Sequence, residues 1–170
     1  MPPAAERRIY WLTAVGIVLL DAVTKLIAEE RLLRAVAVPV FGDWFQLRLV
    51  YNPGAAFGLH LGPFSRWIFL AVAAVAVVVL TRMSAAAPAG DRFRQVALGA
   101  VAGGAAGNLV DRIRSARGVV DFFDVGIGAL RWPTFNVADV AVSCGAVALA
   151  IVLWREDARR SAASESAPAS

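Results

Sequence analysis

The chain has 170 residues, about the size of one ordinary domain, and its formal net charge is +4. Apolar residues make up 59% of it and charged residues only 18%, and the mean hydropathy is +0.64. This composition excludes disorder, collagen-like repeats and a water-soluble globule, in which about 25% of the residues are charged. Because Cys144 is the only cysteine, a disulfide-stapled secreted domain is excluded as well. We therefore expect a small protein that is largely surrounded by lipid.

Taken in chain order, four segments are long and apolar enough to form membrane-spanning helices, which need about 20 mostly apolar residues. They lie at about 9–28, 64–81, 95–114 and 134–154. Outer loops are expected at 29–63 and 115–133. Residues 1–158 are predicted to form a single four-helix membrane domain, and the Ser/Ala-rich residues 159–170 a disordered cytoplasmic tail.

The first outer loop contains two patterns that are typical of short strands. Residues 36–40 are rich in valine, and residues 44–51 partly alternate between apolar and polar side chains. The breakers Asn52-Pro53-Gly54 and Gly62-Pro63 exclude a continuous helix through the apolar stretch that follows. The predicted fold class is an all-α membrane protein with four transmembrane helices and a small extracytoplasmic β-sheet platform in the first outer loop.

The arginines bear on orientation rather than on nucleic-acid binding, because the 16 of them are scattered and form no basic stripe. Half of them lie at the termini or between the second and third spans, namely Arg7, Arg8, Arg82, Arg92, Arg94, Arg155, Arg159 and Arg160. The other loops carry a similar number but are longer, so the positive-inside rule predicts that both termini are cytoplasmic. Four tryptophans would then mark the two membrane interfaces, Trp11 and Trp154 inside and Trp67 and Trp132 outside.

Ionisable side chains inside predicted spans are costly in lipid, so each of them is a functional candidate. At about 1.5 Å per helical residue, Asp21 and Lys25 of the first span lie towards its outer end, as does Asp111 of the third span. Asp121 in the last outer loop and Asp139 near the start of the fourth span lie at the same level. These polar groups are therefore expected to meet near the outer membrane face.

Structural interpretations compete with catalytic ones for several of these groups. Asp21 and Lys25 are spaced i,i+4 with the acid first, which favours a helix ion pair. Asn108, Asp111 and Arg112 share one helix face and could neutralise one another. These five residues are therefore predicted to support a site rather than to react.

The remaining candidates point to packing rather than chemistry. The spacing of Gly99, Gly103 and Gly107 predicts close helix packing in the membrane. Cys144 lies among small apolar residues and is expected to be a core thiol. His60 has no second histidine or cysteine at ligand spacing, so no metal site is predicted.

Asp121 and Asp139 carry the strongest chemical signal. Asp121 is enclosed in the apolar pentapeptide 119–123, and Asp139 follows Asn136 by about one helical turn, so Asn136 can hydrogen-bond the same site. Two carboxylates close together in a low dielectric share one proton, and such a pair can activate water and protonate a leaving amine without a metal or cofactor. The same pair suits a proton-coupled transporter or a membrane chaperone, and simple pairing between helices is a third explanation.

Five motifs in order resemble those of the bacterial lipoprotein signal peptidases, also called signal peptidase II, over about residues 9–154. They are Asp21-Ala-Val-Thr24-Lys25, Asn52-Pro-Gly54-Ala55-Ala56-Phe57-Gly58, Gly103-Gly104-Ala-Ala-Gly107-Asn108-Leu-Val-Asp111-Arg112, Val119-Val120-Asp121-Phe122-Phe123 and Phe135-Asn136-Val-Ala138-Asp139. The resemblance implies a four-helix aspartyl endopeptidase of the inner membrane with both termini cytoplasmic. It also implies removal of the signal peptide from diacylglyceryl-modified prolipoproteins, by a cut before the lipidated cysteine.

Carried over residue by residue, the resemblance makes Asp121 and Asp139 the catalytic pair. Substrate-binding or supporting roles are implied for the remaining motif residues, namely Asn52, Asn108, Arg112, Asn136, Asp21, Lys25 and Asp111. The implied partners are lipid-modified prolipoproteins and membrane lipids, with a site towards the extracytoplasmic face. A monomer is expected, and neither nucleic acid nor a cofactor.

Overall fold

The computed structural model describes residues 2–54 and 61–165, and it is mostly helical with one small antiparallel sheet. The long helices are α1 (Ala4–Arg31), α2 (Ser65–Ala86), α3 (Arg92–Arg114) and α4 (Val137–Glu165). The strands are β1 (Ala37–Phe41), β2 (Phe45–Asn52), β3 (Val119–Ile127) and β4 (Leu130–Arg131). A single turn of 3-10 helix precedes α2.

Three of the described helical segments are long and apolar enough to cross a membrane, Ala4–Arg31, Gly62–Ala86 and Val137–Ala162. The first two contain α1 and α2, and the third lies within α4. The third predicted span corresponds to α3, which packs against all three other helices and has ten buried residues. Its central position explains its composition, since small and polar residues there face protein rather than lipid.

The helix ends differ from their predicted positions, most of all in α4. This helix continues to Glu165, whereas the sequence predicted an end at residue 154 and a disordered tail from residue 159. That prediction is wrong as far as Glu165, because extending an existing helix is easier than nucleating one and the alanines of the tail are strong helix formers. Residues 166–170 lie outside the described part of the chain.

The predicted close packing of the α3 glycines is confirmed. At Gly99 and Gly103, an added Cβ atom would lie 2.7 Å from a backbone carbonyl oxygen of α1. At Gly107, it would lie 2.6 Å from the Asp21 carboxylate. The backbones of α1 and α3 therefore approach each other as closely as they do only because these positions have no side chain.

A fourth glycine of α3, Gly104, lets α4 approach, since an added Cβ atom would lie 2.4 Å from the carbonyl oxygen of Ala138. We expect Gly104→Ala to lower the free energy of unfolding by about 1–3 kcal/mol, because the obstructing atom belongs to backbone. Gly16→Ala in α1 is the matched control, since nothing lies within 4 Å of a Cβ atom there. Thermal unfolding in one detergent measures both variants, and equal melting temperatures would contradict this packing.

The sheet combines two segments that are far apart in sequence. The predicted strands of the first loop exist as β1 and β2, but the sheet order is β1-β2-β3-β4, with β3 and β4 between α3 and α4. The small sheet predicted in the first outer loop is therefore larger than expected, because two strands of the segment 115–133 extend it. The cause is the run of β-branched and aromatic residues in β3, which pairs with β2 and buries most of its side chains.

Backbone pairing places the sheet beside the start of α4. Asp121 lies opposite Val50 of β2, in the same antiparallel ladder that pairs Asn52 with Val119. Phe135 exchanges backbone hydrogen bonds with Phe123 at 2.8 and 3.1 Å. The middle of β3 and the residues just before α4 are thereby held side by side.

The turn between α3 and β3 requires a glycine. Gly118 has a φ of +109°, and a Cβ atom there would lie 2.2 Å from the carbonyl oxygen of Asn52. Only a residue without a side chain fits both the backbone conformation and the space. This turn brings β3 directly against the end of β2.

Candidate active site

The end of the helix bundle that carries the sheet, here called the sheet end, contains a cavity of about 380 Å³. Asp121 from β3 and Asp139 from the first turn of α4 both line it. Asn52, Asn108 and Arg112 line it too. The structure therefore brings both predicted reactive aspartates and three of the predicted supporting residues to one cavity.

Asp121 is almost completely buried, with 2% of its surface exposed. Its carboxylate accepts hydrogen bonds from Nδ2 of Asn136 at 2.7 Å and from Nδ2 of Asn52 at 3.2 Å. Burial, followed by the negative charge of nearby Asp139, raises the pKa of Asp121 from 3.8 to about 7. A carboxylic acid that keeps its proton near neutral pH can donate a hydrogen bond to a substrate carbonyl.

Asp139 lies at the start of α4, where the helix dipole favours a negative charge. Its backbone N–H donates to Oδ1 of Asn136 at 2.9 Å, and the backbone N–H of Asn136 donates back to Oδ2 of Asp139 at 3.1 Å. This reciprocal cap fixes the Asp139 side chain. Nδ2 of Asn108 donates a further bond of 2.8 Å to Oδ1. The Asp139 carboxylate is therefore held by two hydrogen-bond donors, the backbone of Asn136 and the side chain of Asn108.

Asn136 joins the two aspartates. It is fully buried, and besides its cap on Asp139 it donates through Nδ2 to Asp121. The same Nδ2 atom lies 3.1 Å from Oδ1 of Asn108 and 3.2 Å from the carbonyl oxygen of Val120. One side chain therefore orients both carboxylates, whereas the sequence predicted only that Asn136 can hydrogen-bond the site.

A buried ionic cluster lies behind the two aspartates. Nζ of Lys25 is 2.7 Å from Asp21 and 2.8 Å from Asp111, and it donates to Oδ1 of Asn108 at 3.0 Å. Because Oδ1 of Asn108 accepts from Lys25, the Nδ2 group of this amide faces Asp139. The predicted Asp21–Lys25 pair is confirmed, and the interaction of Lys25 with Asn108 extends it to the cavity.

The acids of this cluster also bind the backbone next to each candidate aspartate. Asp21 accepts the N–H of Ala138, the residue before Asp139, at 2.9 Å. Asp111 accepts the N–H of Val120, the residue before Asp121, at 3.2 Å. The cluster thus fixes the two segments of chain that carry the candidate pair.

The sequence allowed an ion pair between Arg112 and Asp111, but the structure does not show one. Asp111 pairs instead with Lys25 at 2.8 Å and with Arg114 at 3.1 Å. The guanidinium of Arg112 donates to the carbonyl oxygens of Asn108 and Gly54, at 3.1 and 2.9 Å. It thereby joins α3 to the segment that follows β2. Arg112 is a cation that lines the cavity with both aspartates.

Arg66 was not identified from the sequence. Its side chain donates to the carbonyl oxygens of Arg112 at 2.7 Å and of Ile113 at 3.1 Å, so it caps the last turn of α3 from α2. A basic residue at the start of one helix gives no sequence signal that it caps a different helix.

Asp124, also in β3, points away from the cavity. It is 2% exposed and pairs with Arg131 at 2.6 Å and Arg48 at 3.0 Å. Asp121 and Asp124 are three residues apart in one strand, so their side chains lie on opposite faces of the sheet. Asp124 therefore stabilises the sheet and is not part of the candidate pair.

The prediction of a core thiol is wrong, because Cys144 is exposed and lines the cavity, between one and two helical turns after Asp139. The small apolar neighbours that suggested a protein core are those of a helix facing lipid. The prediction for His60, and the motif residues Ala55 to Gly58, lie outside the described residues.

Comparison with known sequences gives a consistent set of relatives. Residues 13–155 match the family described as Signal peptidase (SPase) II. The lipoprotein signal peptidase of Syntrophus aciditrophicus is 34% identical over 156 residues, which cover 90% of this chain and 96% of that protein. The one from Hydrogenovibrio crunogenus is 41% identical over 143 residues, which cover 83% and 81%. The one from Rhodococcus jostii is 38% identical over 161 residues, which cover 89% and 75%.

Comparison with solved structures agrees. A bacterial membrane enzyme solved by the in meso method at 2.3 Å resolution has a TM-score of 0.76 and 28% identity, over 88% of this chain and 90% of that one. The three apolar helices are consistent with a membrane-embedded protein of this kind. The chain therefore belongs to the signal peptidase II family, and this membership makes it a peptide-bond hydrolase and supports removal of signal peptides from prolipoproteins.

Proposed function

We propose that the protein is an aspartyl endopeptidase that removes the signal peptide from diacylglyceryl-modified prolipoproteins, by a cut before the lipidated cysteine. The observation that carries the proposal is that Asp121 and Asp139 line one cavity and are joined through Asn136. The pair supplies both an acid and a base, so the reaction uses no cofactor. Asn52, Asn108 and the other supporting residues orient the pair and bind the substrate.

In the first step, ionised Asp139 takes a proton from a water molecule, and the oxygen of that water attacks the scissile carbonyl carbon. Protonated Asp121 donates its proton to the carbonyl oxygen, which gives a neutral tetrahedral diol. The assignment of roles follows the surroundings, since Asp121 is the more buried acid and Asp139 lies at a helix start.

In the second step, Asp139 returns its proton to the departing amine nitrogen and the carbon–nitrogen bond breaks. Asp121 recovers a proton from the diol as the new carboxylic acid forms. The pair ends in the protonation state in which it began, so the two steps can repeat without an external acid or base.

The proposed arrangement in the bacterial inner membrane has four spans, with α3 as the central one and residues 1–158 as a single membrane domain. Both termini are cytoplasmic and the sheet end is extracytoplasmic. The orientation is supported by eight arginines that lie at or near the end opposite the sheet. The spanning arrangement is supported by exposed tryptophans at both ends, Trp11 and Trp154 opposite Trp67 and Trp132.

A substrate held in the membrane by its acyl chains would approach from the side. The cavity at the sheet end suits this approach, because exposed Trp132 and Val140 line it beside the aspartates and offer apolar surface to lipid. Membrane lipids and lipidated prolipoproteins are therefore the proposed partners, the proposed active form is a monomer, and no nucleic acid is involved.

The direct test is to incubate the purified protein with a diacylglyceryl-modified prolipoprotein and with the same prolipoprotein lacking the lipid. We expect a gel shift from loss of the signal peptide only with the lipidated form, and an N-terminal lipidated cysteine by mass spectrometry. Equal cleavage of both forms would contradict the proposed substrate. Substrate flux in proteoliposomes without any cleaved peptide would favour a transporter instead.

The raised pKa of Asp121 leads to a pH prediction. Because protonated Asp121 is the proposed acid and its pKa is about 7, kcat/KM should fall as the pH rises through about 7.

The raised pKa of Asp121 also makes the free energy of unfolding depend on pH. Between about pH 4 and 7 the folded protein keeps the Asp121 proton and the unfolded chain does not, so the free energy of unfolding falls as the pH rises over this range. Melting temperatures of wild type and Asp121→Asn against pH check this, since the asparagine variant should show the flatter profile.

A further inference from the structure

A second cavity, of about 460 Å³, lies at the end of the bundle opposite the sheet. The α2–α3 connection and the start of α3 form one wall with Gly90, Asp91 and Phe93, and the second half of α4 forms the other. We call it the basic crevice, because Arg155 and Arg159 line it from α4. It shares no lining residue with the cavity of the candidate pair.

The acids of the basic crevice are already neutralised. Asp91 pairs with Nε of Arg94 at 2.9 Å, and its side chain also accepts the backbone N–H of Arg94 as the cap of α3. Glu156 pairs with the Nη2 atom of the same arginine. Arg94 therefore joins the start of α3 to α4 and takes up both carboxylates that line the crevice.

Arg155 and Arg159 are both exposed, and neither forms an ion pair with any carboxylate whose side chain the structure describes. They are spaced i,i+4 on α4, so they share a helix face and repel each other. An anion between them would remove this repulsion.

The surroundings of the basic crevice favour the anion of a lipid. Phe93 is 52% exposed and lines the crevice, and Trp154, next to Arg155, is 73% exposed. Exposed aromatic side chains beside arginines are typical of the membrane–water interface. Guanidinium groups bind phosphate oxygens through paired hydrogen bonds, and anionic lipids attract basic residues at the membrane surface.

We propose that the basic crevice binds the phosphate headgroup of an anionic phospholipid, held between Arg155 and Arg159 with its acyl chains beside Phe93 and Trp154. This lipid site is separate from the candidate catalytic site and independent of the proposed peptidase activity. A bound headgroup would hold α4 against the α2–α3 connection, beside the ion pairs that Arg94 forms with Asp91 and Glu156.

The test uses the full-length protein, delipidated in a neutral detergent, and phosphatidylglycerol as the probe, with binding followed by native mass spectrometry. We expect the double variant Arg155→Gln/Arg159→Gln to bind this lipid at least about tenfold more weakly than wild type. Arg7→Gln/Arg8→Gln is the matched control, because it removes the same charge from the same end without touching the crevice, and it should bind like wild type. Arg155→Lys/Arg159→Lys keeps the charge and should lose only part of the affinity.

Three results would overturn the proposal. Equal losses in the two glutamine variants would mean that general surface charge attracts the lipid. Equal binding of phosphatidylcholine would exclude recognition of a net negative headgroup. Binding of inorganic phosphate that displaces phosphatidylglycerol and depends on the same arginines would assign the crevice to a free anion. Melting temperatures in neutral detergent show that each variant is folded before its binding is compared.

Discussion

Replacing Asp139 with asparagine is expected to lower kcat for signal-peptide removal by about 10²- to 10⁴-fold while the protein stays folded. The amide has the same shape and can still accept the hydrogen bond from Asn108, but it cannot take a proton from water. Asp121→Asn should cause a loss of the same order, because the amide cannot give a proton to the carbonyl oxygen. Single-turnover cleavage of a lipidated prolipoprotein measures both effects.

The control for the pair is Asp157→Asn, which removes an exposed carboxylate of α4 on the far side of the bundle. Its rate should equal that of wild type. Near wild-type cleavage by either Asp139→Asn or Asp121→Asn would rule out the assignment of the pair. A transporter that uses the same carboxylates would lose flux in these variants and would show no cleavage in any of them.

Replacing Lys25 with methionine is expected to destabilise the protein by about 3–5 kcal/mol, because two buried carboxylates lose their counter-ion. Lys25 is 1% exposed and pairs with both Asp21 and Asp111. The substitution also frees Oδ1 of Asn108, so the amide that donates to Asp139 loses its fixed orientation. We therefore expect a lower melting temperature and, below it, a lower kcat.

Two further variants test whether the effect comes from the buried ion pairs of Lys25 or from the loss of a positive charge in general. Arg8→Met removes one exposed positive charge from the same helix and should melt like wild type. The triple variant Asp21→Asn/Lys25→Met/Asp111→Asn leaves no buried charge unpaired and should recover much of the lost stability. If Lys25→Met alone melted with wild type, the ionic cluster would not stabilise the fold.

Much of the candidate site could be predicted from sequence because lipid makes polar residues rare and costly. In a chain with 18% charged residues, a carboxylate inside or beside an apolar segment stands out, and depth along a helix follows from residue number alone. Asp121, Asp139 and the Asp21–Lys25 pair were identified in this way. The packing of Gly103 and its neighbours followed from their spacing.

The sequence-based predictions failed where one local pattern is compatible with two different structures. The small apolar neighbours of Cys144 suit a core and equally a helix facing lipid, and only the packing shows that the thiol is exposed. The alanines of 159–165 suit a tail and equally the continuation of α4. Composition alone does not separate these outcomes, because each depends on which surface the neighbouring helix covers.

By itself, the sequence determined that the protein is embedded in lipid, which acids are candidates for chemistry and at which level of the helices they lie. These properties depend on composition and on the regular rise of a helix, both of which are local. Only the tertiary structure decided that β3 pairs with β2 and with Phe135. It also decided that Asn136 joins Asp121 to Asp139, and that Lys25 fixes the orientation of the Asn108 side-chain amide. Those contacts join residues up to 83 positions apart, and no local pattern specifies which distant group will satisfy a buried hydrogen bond.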